Sequence, residues 1–257
     1  MIKINGSIAV LLTFISLSVR GQTVADYKFS FGPGEVPGYI RVDPSRKYST
    51  ETKYGFDFGT LPKTIDRGGK NQVRSGFCTS QKPFFFSVAL PEGNYNIRII
   101  TGDLKDSSVT TVSAESRRLL FEKIITVPGR FRVLEATVNL RVPEIAGTQE
   151  KVVKRPRELY KLDWDEKLTF EFTDSRPCIC ALEITRSDEA VTIFLAGNST
   201  VVDQDDEPWA SWGQMFPRFL KKGIAVANHA ESGLSLGTFI SSNRLKKVLS
   251  MTKPGDN

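Results

Sequence analysis

Short runs of alternating apolar and polar residues, separated by turn residues, follow one another between residues 27 and 186. An alternation with a period of two is typical of strands that bury one face. No helical period of convincing length interrupts these strands, and many short strands joined by turns favour a β-sandwich, here of jelly-roll type. The predicted strands cover residues 27–31, 54–59, 84–90, 95–101, 108–112, 119–126, 131–140, 168–172 and 180–185.

Two of these predicted strands flank a compact turn. The residues Pro91, Glu92, Gly93 and Asn94 separate the strand over 84–90 from the strand over 95–101. A four-residue loop that contains glycine is common in β-hairpins. We therefore predict that these two strands pair with each other.

The pattern changes after Arg186. Residues 191–196 form an unbroken apolar run, as in a strand that is buried on both faces. An amphipathic helix (209–220), an apolar strand (223–228) and a second helix (238–250) follow. This alternation predicts βαβ units and a parallel sheet, so we divide the chain into a β-sandwich (22–187) and an α/β domain (188–257). Two strands and two helices cannot cover both faces of a parallel sheet, and we expect this α/β part to be incomplete.

The N-terminus predicts a targeting segment. Lys3 precedes an apolar stretch over 8–19 that is too short to span a bilayer, and Val19-Arg20-Gly21 suits a signal peptidase. We predict a signal peptide over 1–21, with cleavage before Gln22; a retained anchor is the alternative. The predicted location is secreted or periplasmic, with no membrane contact after cleavage.

The formal charge of +6 excludes few functions, because the basic residues are scattered. The densest cluster consists of Lys151, Lys154, Arg155, Arg157 and Lys161. It lacks the interleaved aromatic residues of a nucleic-acid surface, so we interpret it as a solvated connection between strands. An acidic polysaccharide remains a compatible partner, whereas nucleic acid is not predicted.

Three cysteines and one histidine limit the metal and disulfide chemistry. Cys178 and Cys180 are two apart, so in a strand they face the same side. Secretion permits a disulfide from Cys78 to either of them, which leaves one thiol over. With His229 as the single histidine, no metal-binding spacing is present.

The segment Gly197-Asn198-Ser199 follows the first strand of the α/β part. Such a turn places a serine hydroxyl at the carboxyl end of the sheet, where open α/β folds bind their ligands. The alternative is a polar turn with a capping serine.

Three stretches together resemble the SGNH (GDSL-like) hydrolases, within them the rhamnogalacturonan acetylesterase-like group. They are Gly197-Asn198-Ser199-Thr200, Trp212-Gly213-Gln214 and Asn228-His229-Ala230-Glu231-Ser232-Gly233. The N-terminal half is similar to the galactose-binding-like sandwich that often precedes such esterase domains. The resemblance implies a flavodoxin-like sheet and a serine deacetylase without cofactor or metal. Its substrate would be acetylated plant cell-wall polysaccharide, pectin or rhamnogalacturonan.

By the same resemblance, Ser199 is the nucleophile. The backbone N–H groups of Ser199 and Gly233 would form the oxyanion hole. The sequence departs from the family because it contains neither the Gly-x-Asn-Asp block nor the Asp-x-x-His block that supplies the base. Asn198 replaces the usual aspartate, and Leu234 stands where an arginine is common. We therefore expect an esterase that is inactive in this truncated form.

Other polar and aromatic residues of this part have simpler interpretations. We interpret His229 as structural or solvent-facing rather than as the base. The acidic run Asp203, Asp205, Asp206 and Glu207 is read as a solvated loop, with cation binding or an active-site rim as the alternative. Trp209 and Trp212 are interpreted as core residues rather than sugar platforms. Two other functions stay open: a non-catalytic carbohydrate-binding module with an α/β remnant, and a structural surface protein.

Overall fold

The structure, a computed structural model, describes residues 26–257, so the predicted signal peptide lies outside it. Residues 26–186 form two sheets. Their strands are β1 (Asp26–Ser30), β2 (Ile40–Arg41), β3 (Tyr54–Asp57), β4 (Lys63–Asp66), β5 (Gly76–Thr79), β6 (Phe84–Ala89), β7 (Gly93–Gly102), β8 (Ser108–Ala114), β9 (Arg118–Thr126), β10 (Phe131–Leu140), β11 (Lys167–Arg176) and β12 (Ile179–Arg186). The predicted strands thus recur with small differences in length.

One hydrophobic core joins the two sheets. The larger sheet has the order β10-β7-β12-β1-β2, with β5 and β4 attached to β12, and the other has the order β3-β6-β11-β8-β9. Phe29 of the first sheet meets Phe86 of the second, with ring centroids 5.1 Å apart. Alternate residues of the longer strands enter this core, as the period of two requires. This part of the chain is therefore a two-layer β-sandwich.

The predicted hairpin over 84–101 is wrong. β6 pairs with β3 and β11, whereas β7 pairs with β10 and β12 in the other sheet. The turn between them passes from one layer to the other, and the Tyr95 hydroxyl donates to the Pro91 carbonyl oxygen at 2.6 Å. Both strands bury one face in the shared core, so their alternation does not distinguish a hairpin from this crossing.

The cysteines lie on both faces of the larger sheet. Cys78 pairs with Ile179, and both enter the main core. Cys178 and Cys180 face the opposite side, in a cluster with Phe77, which confirms that these two share a face. All three thiols are free, and a bridge from Cys78 to either of the others is ruled out because they project from opposite faces.

The segment after Arg186 contains a parallel pair of strands, as predicted. β13 (Val191–Leu195) pairs with β14 (Ile224–Asn228). The helix predicted over 209–220 is only α1 (Trp212–Met215), which continues as a 3-10 turn over Phe216–Phe219 with a proline in its first turn. The second predicted helix is two helices, α2 (Leu236–Ser241) and α3 (Arg244–Met251).

The connection between β10 and β11 joins the sandwich to the α/β segment. Glu158 of this connection and Arg244 of α3 are both buried and form an ion pair at 2.5 Å. Lys161 lies 3.2 Å from Glu231, where both side chains are buried. The interpretation of this basic cluster as a solvated connection is therefore wrong for Lys161. No helix within residues 26–257 is long and apolar enough to cross a bilayer.

Candidate active site

Ser199 lies in a tight turn beyond the carboxyl end of β13, and its side chain is exposed. The N–H groups of Val201 and Val202 both donate to the Asn198 carbonyl oxygen at 3.0 Å, which closes the turn. A Cβ at Gly197 would lie 2.5 Å from Cγ2 of Val201, so the turn leaves no room for a side chain there. The glycine before Asn198 thus lets the chain present Ser199 at the sheet edge.

Asn228, at the end of β14, stabilises this turn through hydrogen bonds of its side chain. Its side-chain amide donates to the Val201 carbonyl oxygen at 2.6 Å and to the Asp203 carboxylate at 2.8 Å. The same carboxylate lies 2.9 Å from Nε of Arg118 in the sandwich. A side chain at Gly213 would overlap the Val201 carbonyl oxygen. Asn228 and Gly213, both from the resembling stretches, therefore position the serine turn.

Gly233 follows the neighbouring strand β14 and has a φ of 74°, a left-handed conformation that favours glycine. Its carbonyl oxygen accepts a hydrogen bond from Arg155 at 2.9 Å, and the Ser232 carbonyl oxygen accepts another at 2.8 Å. Within residues 26–257, the N–H groups of Ser199 and Gly233 donate to no protein acceptor. Both donors are therefore available to a ligand.

Ser199 and Ser232 line one cleft of about 460 Å³. The other residues around it are Arg157, Gln204, Asp205, Asp206 and Trp209. Ser232 is the residue before Gly233, so the serine turn and the glycine turn meet at this cleft. The two stretches that the sequence singled out thus come together in space.

His229 lies outside this cleft. It is fully buried between Trp164, at a ring-centroid distance of 5.3 Å, and Phe194, at 5.9 Å. In the described part of the chain, neither ring nitrogen has a hydrogen-bond partner. Burial, reinforced by the charges of Arg141 and Arg244, lowers the pKa of His229 well below its usual range. Of the two interpretations, structural or solvent-facing, the structural one holds.

Several acidic and aromatic residues differ from their predicted roles. Trp209 and Trp212 are 67% and 53% exposed, so their interpretation as core residues is wrong. Asp203 is buried rather than solvated, whereas Asp205 and Asp206 line the cleft. The described residues contain no group of three or more acidic, histidine or cysteine side chains arranged for a metal ion.

Arg155 and Arg157 lie at the site, although the sequence indicated only a solvated basic cluster for them. Arg155 braces the glycine turn, and Arg157 lines the cleft while its Nε lies 3.0 Å from buried Glu231. Their partners lie more than 70 residues further along the chain. No local sequence pattern indicates these two pairings, although the high density of basic residues distinguished this segment from the rest of the chain.

Comparisons with known proteins found relatives of this chain among esterases. A model of the family described as "Beta-agarase/YXIM esterase-like, galactose-binding domain-like" matches residues 27–130. A Bacillus subtilis protein, the uncharacterized esterase YxiM, is 28% identical over 257 residues, which cover 93% of this chain and 59% of YxiM. Its X-ray crystal structure aligns with 90% of this chain and 62% of its own, at 25% identity and a TM-score of 0.45.

A second relative matches a shorter stretch of the chain. The Bacillus subtilis rhamnogalacturonan acetylesterase RhgT is 38% identical over 68 residues, which are 26% of this chain and 29% of RhgT. The model of that family therefore covers most of the β-sandwich. The chain is similar to YxiM over most of its length and to RhgT over 68 residues, and it spans about three fifths of the length of YxiM.

Proposed function

We propose that this chain belongs to a secreted carbohydrate esterase of the SGNH type, which removes acetyl groups from pectic polysaccharide. The observation that carries the proposal is the meeting of the Ser199 turn and the glycine turn at one open cleft, with two N–H groups that have no acceptor among residues 26–257. The names of the relatives support the reaction and the substrate class. The predicted signal peptide supports secretion.

The reaction is acyl transfer to Ser199. The hydroxyl oxygen attacks the carbonyl carbon of the acetyl group. The backbone N–H groups of Ser199 and Gly233 stabilise the negative charge that develops on the carbonyl oxygen. The sugar hydroxyl leaves with a proton, and water then releases acetate from the serine. In a well-studied serine hydrolase, loss of one oxyanion donor costs about 2.7–4 kcal/mol.

A serine hydroxyl is a weak nucleophile until a base takes its proton. The single histidine of the chain, His229, is fully buried and does not line the cleft that Ser199 lines. We therefore propose that residues 22–257 by themselves have little or no esterase activity. A serine hydrolase that lacks its base loses most of its rate enhancement, and the residual acceleration over water is about 10³–10⁴-fold.

The test uses a small acetyl ester with residues 22–257, and it adds free imidazole as a substitute base. We expect turnover far below about 1 s⁻¹, the low end of ordinary enzyme rates. Imidazole should raise hydrolysis more with the unchanged chain than with Ser199→Ala, which corrects for hydrolysis by imidazole alone. Equal rates for the two proteins would contradict the role of Ser199. Turnover at or above about 1 s⁻¹ without imidazole, lost in Ser199→Ala, would contradict the proposed inactivity.

A non-catalytic carbohydrate-binding module is the second candidate, and a cavity on the sandwich favours it. If imidazole has no Ser199-dependent effect but the chain still binds polysaccharide, this second function is the better description.

A further inference from the structure

A larger cavity, of about 790 Å³, adjoins the Ser199 cleft. Its floor is the outer face of the five-stranded sheet, where Glu171 of β11 pairs with Phe85 of β6. The two cavities share Arg157, Asp205 and Asp206 in their linings. They therefore form one continuous groove, which runs from Ser199 across the junction to the β-sandwich.

Glu171 is an unused acceptor on the floor of this groove. Its neighbours in sequence, Phe170 and Phe172, enter the core, so its own side chain projects outward. In the part of the chain that the structure describes, its carboxylate forms neither a hydrogen bond nor an ion pair. Burial raises the pKa of Glu171, although the charge of Arg117 lowers it. A carboxylate is a hydrogen-bond acceptor, and hydroxyl groups of a ligand would supply donors to it.

Aromatic side chains form the walls. Tyr160, in the connection between β10 and β11, is 86% exposed, and Phe58 is half exposed. Phe58 packs edge-on against Phe85 at a centroid distance of 5.3 Å and has a φ of 53°, which is unusual for a bulky residue. Such conformations concentrate at functional sites. Exposed aromatic faces beside a polar acceptor suit a ligand with both apolar faces and hydroxyl groups, which is the chemistry of a sugar ring.

We propose that this groove binds a carbohydrate chain, so that the sandwich holds the polymer whose ester group lies at Ser199. The choice of a carbohydrate as the ligand rests on the proposed function, because that function identifies the occupant of the groove as the esterase substrate. The cavity on the sandwich is lined by five acidic residues but only three basic ones. Of the three basic residues, Arg117 is bound to the loop that carries Glu207, and Lys161 to Glu231. The groove therefore favours uncharged sugar rings over a continuous run of uronate rings.

The experiment measures binding of residues 22–257 to acetylated rhamnogalacturonan, to the same polymer after chemical deacetylation, and to polygalacturonate. We expect Tyr160→Ala and Glu171→Gln each to weaken binding to both rhamnogalacturonan forms by about fivefold or more, as for central residues of an interface. Phe219→Ala and Glu189→Gln are matched controls, since both residues are exposed and line neither cavity. They should bind as the unchanged chain does, and polygalacturonate should bind more weakly.

Failure of this inference is distinguishable from failure of the esterase proposal, because binding needs no turnover. The inference is overturned if the unchanged chain binds neither rhamnogalacturonan form, or if Tyr160→Ala and Glu171→Gln bind as tightly as their controls. Binding that requires the acetyl groups would place the affinity at the ester site and also overturn it. Equal affinity for polygalacturonate would overturn the preference for uncharged rings.

Discussion

The guanidinium of Arg155 donates a hydrogen bond to the carbonyl oxygen of Gly233 at 2.9 Å. Arg155 belongs to the connection between β10 and β11, whereas Gly233 belongs to the α/β segment. The candidate oxyanion hole is therefore held in part by a side chain of the sandwich.

Replacement of Arg155 by alanine should loosen the glycine turn. Hydrogen bonds from a charged group contribute about 1.5–3 kcal/mol each, and partial exposure of Arg155 favours the lower end. We expect a loss of about 1–2 kcal/mol in the free energy of unfolding, together with faster amide hydrogen exchange in a peptide over 229–236. Arg132→Ala is the control, because Arg132 is exposed on β10 and forms no ion pair with any other described residue. Unchanged exchange in Arg155→Ala would show that the turn is held by other contacts.

Replacement of Gly233 by alanine should destabilise the same turn for a different reason. The backbone has a φ of 74°, and the new Cβ would lie 2.8 Å from Nη1 of Arg155. A left-handed conformation costs an ordinary residue about 1–2 kcal/mol, so thermal or urea unfolding should show a loss of at least that size. Gly34→Ala is the control for a glycine-to-alanine change, since its Cβ would meet open space and its φ is ordinary. A loss as small as that of Gly34→Ala would contradict the conformation at Gly233.

The burial of His229 predicts how stability depends on pH. The pKa of His229 is lowered in the folded protein, so the unfolded chain binds the proton first, below about pH 6.5. The free energy of unfolding should therefore fall as the pH is lowered through this range, by up to about 1.4 kcal/mol per pH unit. In His229→Leu this dependence is absent. The difference in stability between variant and unchanged chain should be constant above pH 7.5 and should grow in favour of the variant below pH 6.5. A difference that stays constant down to pH 5 would show that His229 titrates freely in the fold.

The ion pair between Glu158 and Arg244 tests the junction itself. Both side chains are buried, and removal of one partner leaves the other as an uncompensated charge. Arg244→Met should lower the free energy of unfolding by about 3–5 kcal/mol, measured by urea denaturation. Lys246→Met, on the same helix, removes an exposed pair with Glu150 and should cost at most about 1 kcal/mol. Similar losses for the two variants would mean that the junction is solvated.

The sequence by itself determined the local elements and the identity of the chemical groups. Alternation located most strands of the sandwich, and the strand predicted over 131–140 coincides with β10. The apolar runs located β13 and β14, and the motifs singled out Ser199 and Gly233. These features depend on neighbours a few residues away, because strand periodicity and turn chemistry are local properties.

Only the tertiary structure decided which strands pair, which charges are buried and where the groove lies. β6 and β7 have the alternation of a hairpin, yet each pairs in a different sheet, because both bury one face in the same core. Lys161 and Glu231 look like surface residues in the sequence and become a buried pair only when segments 70 residues apart meet. Burial and pairing depend on distant partners. The local sequence around a charged residue does not indicate which partner will compensate the cost of its desolvation.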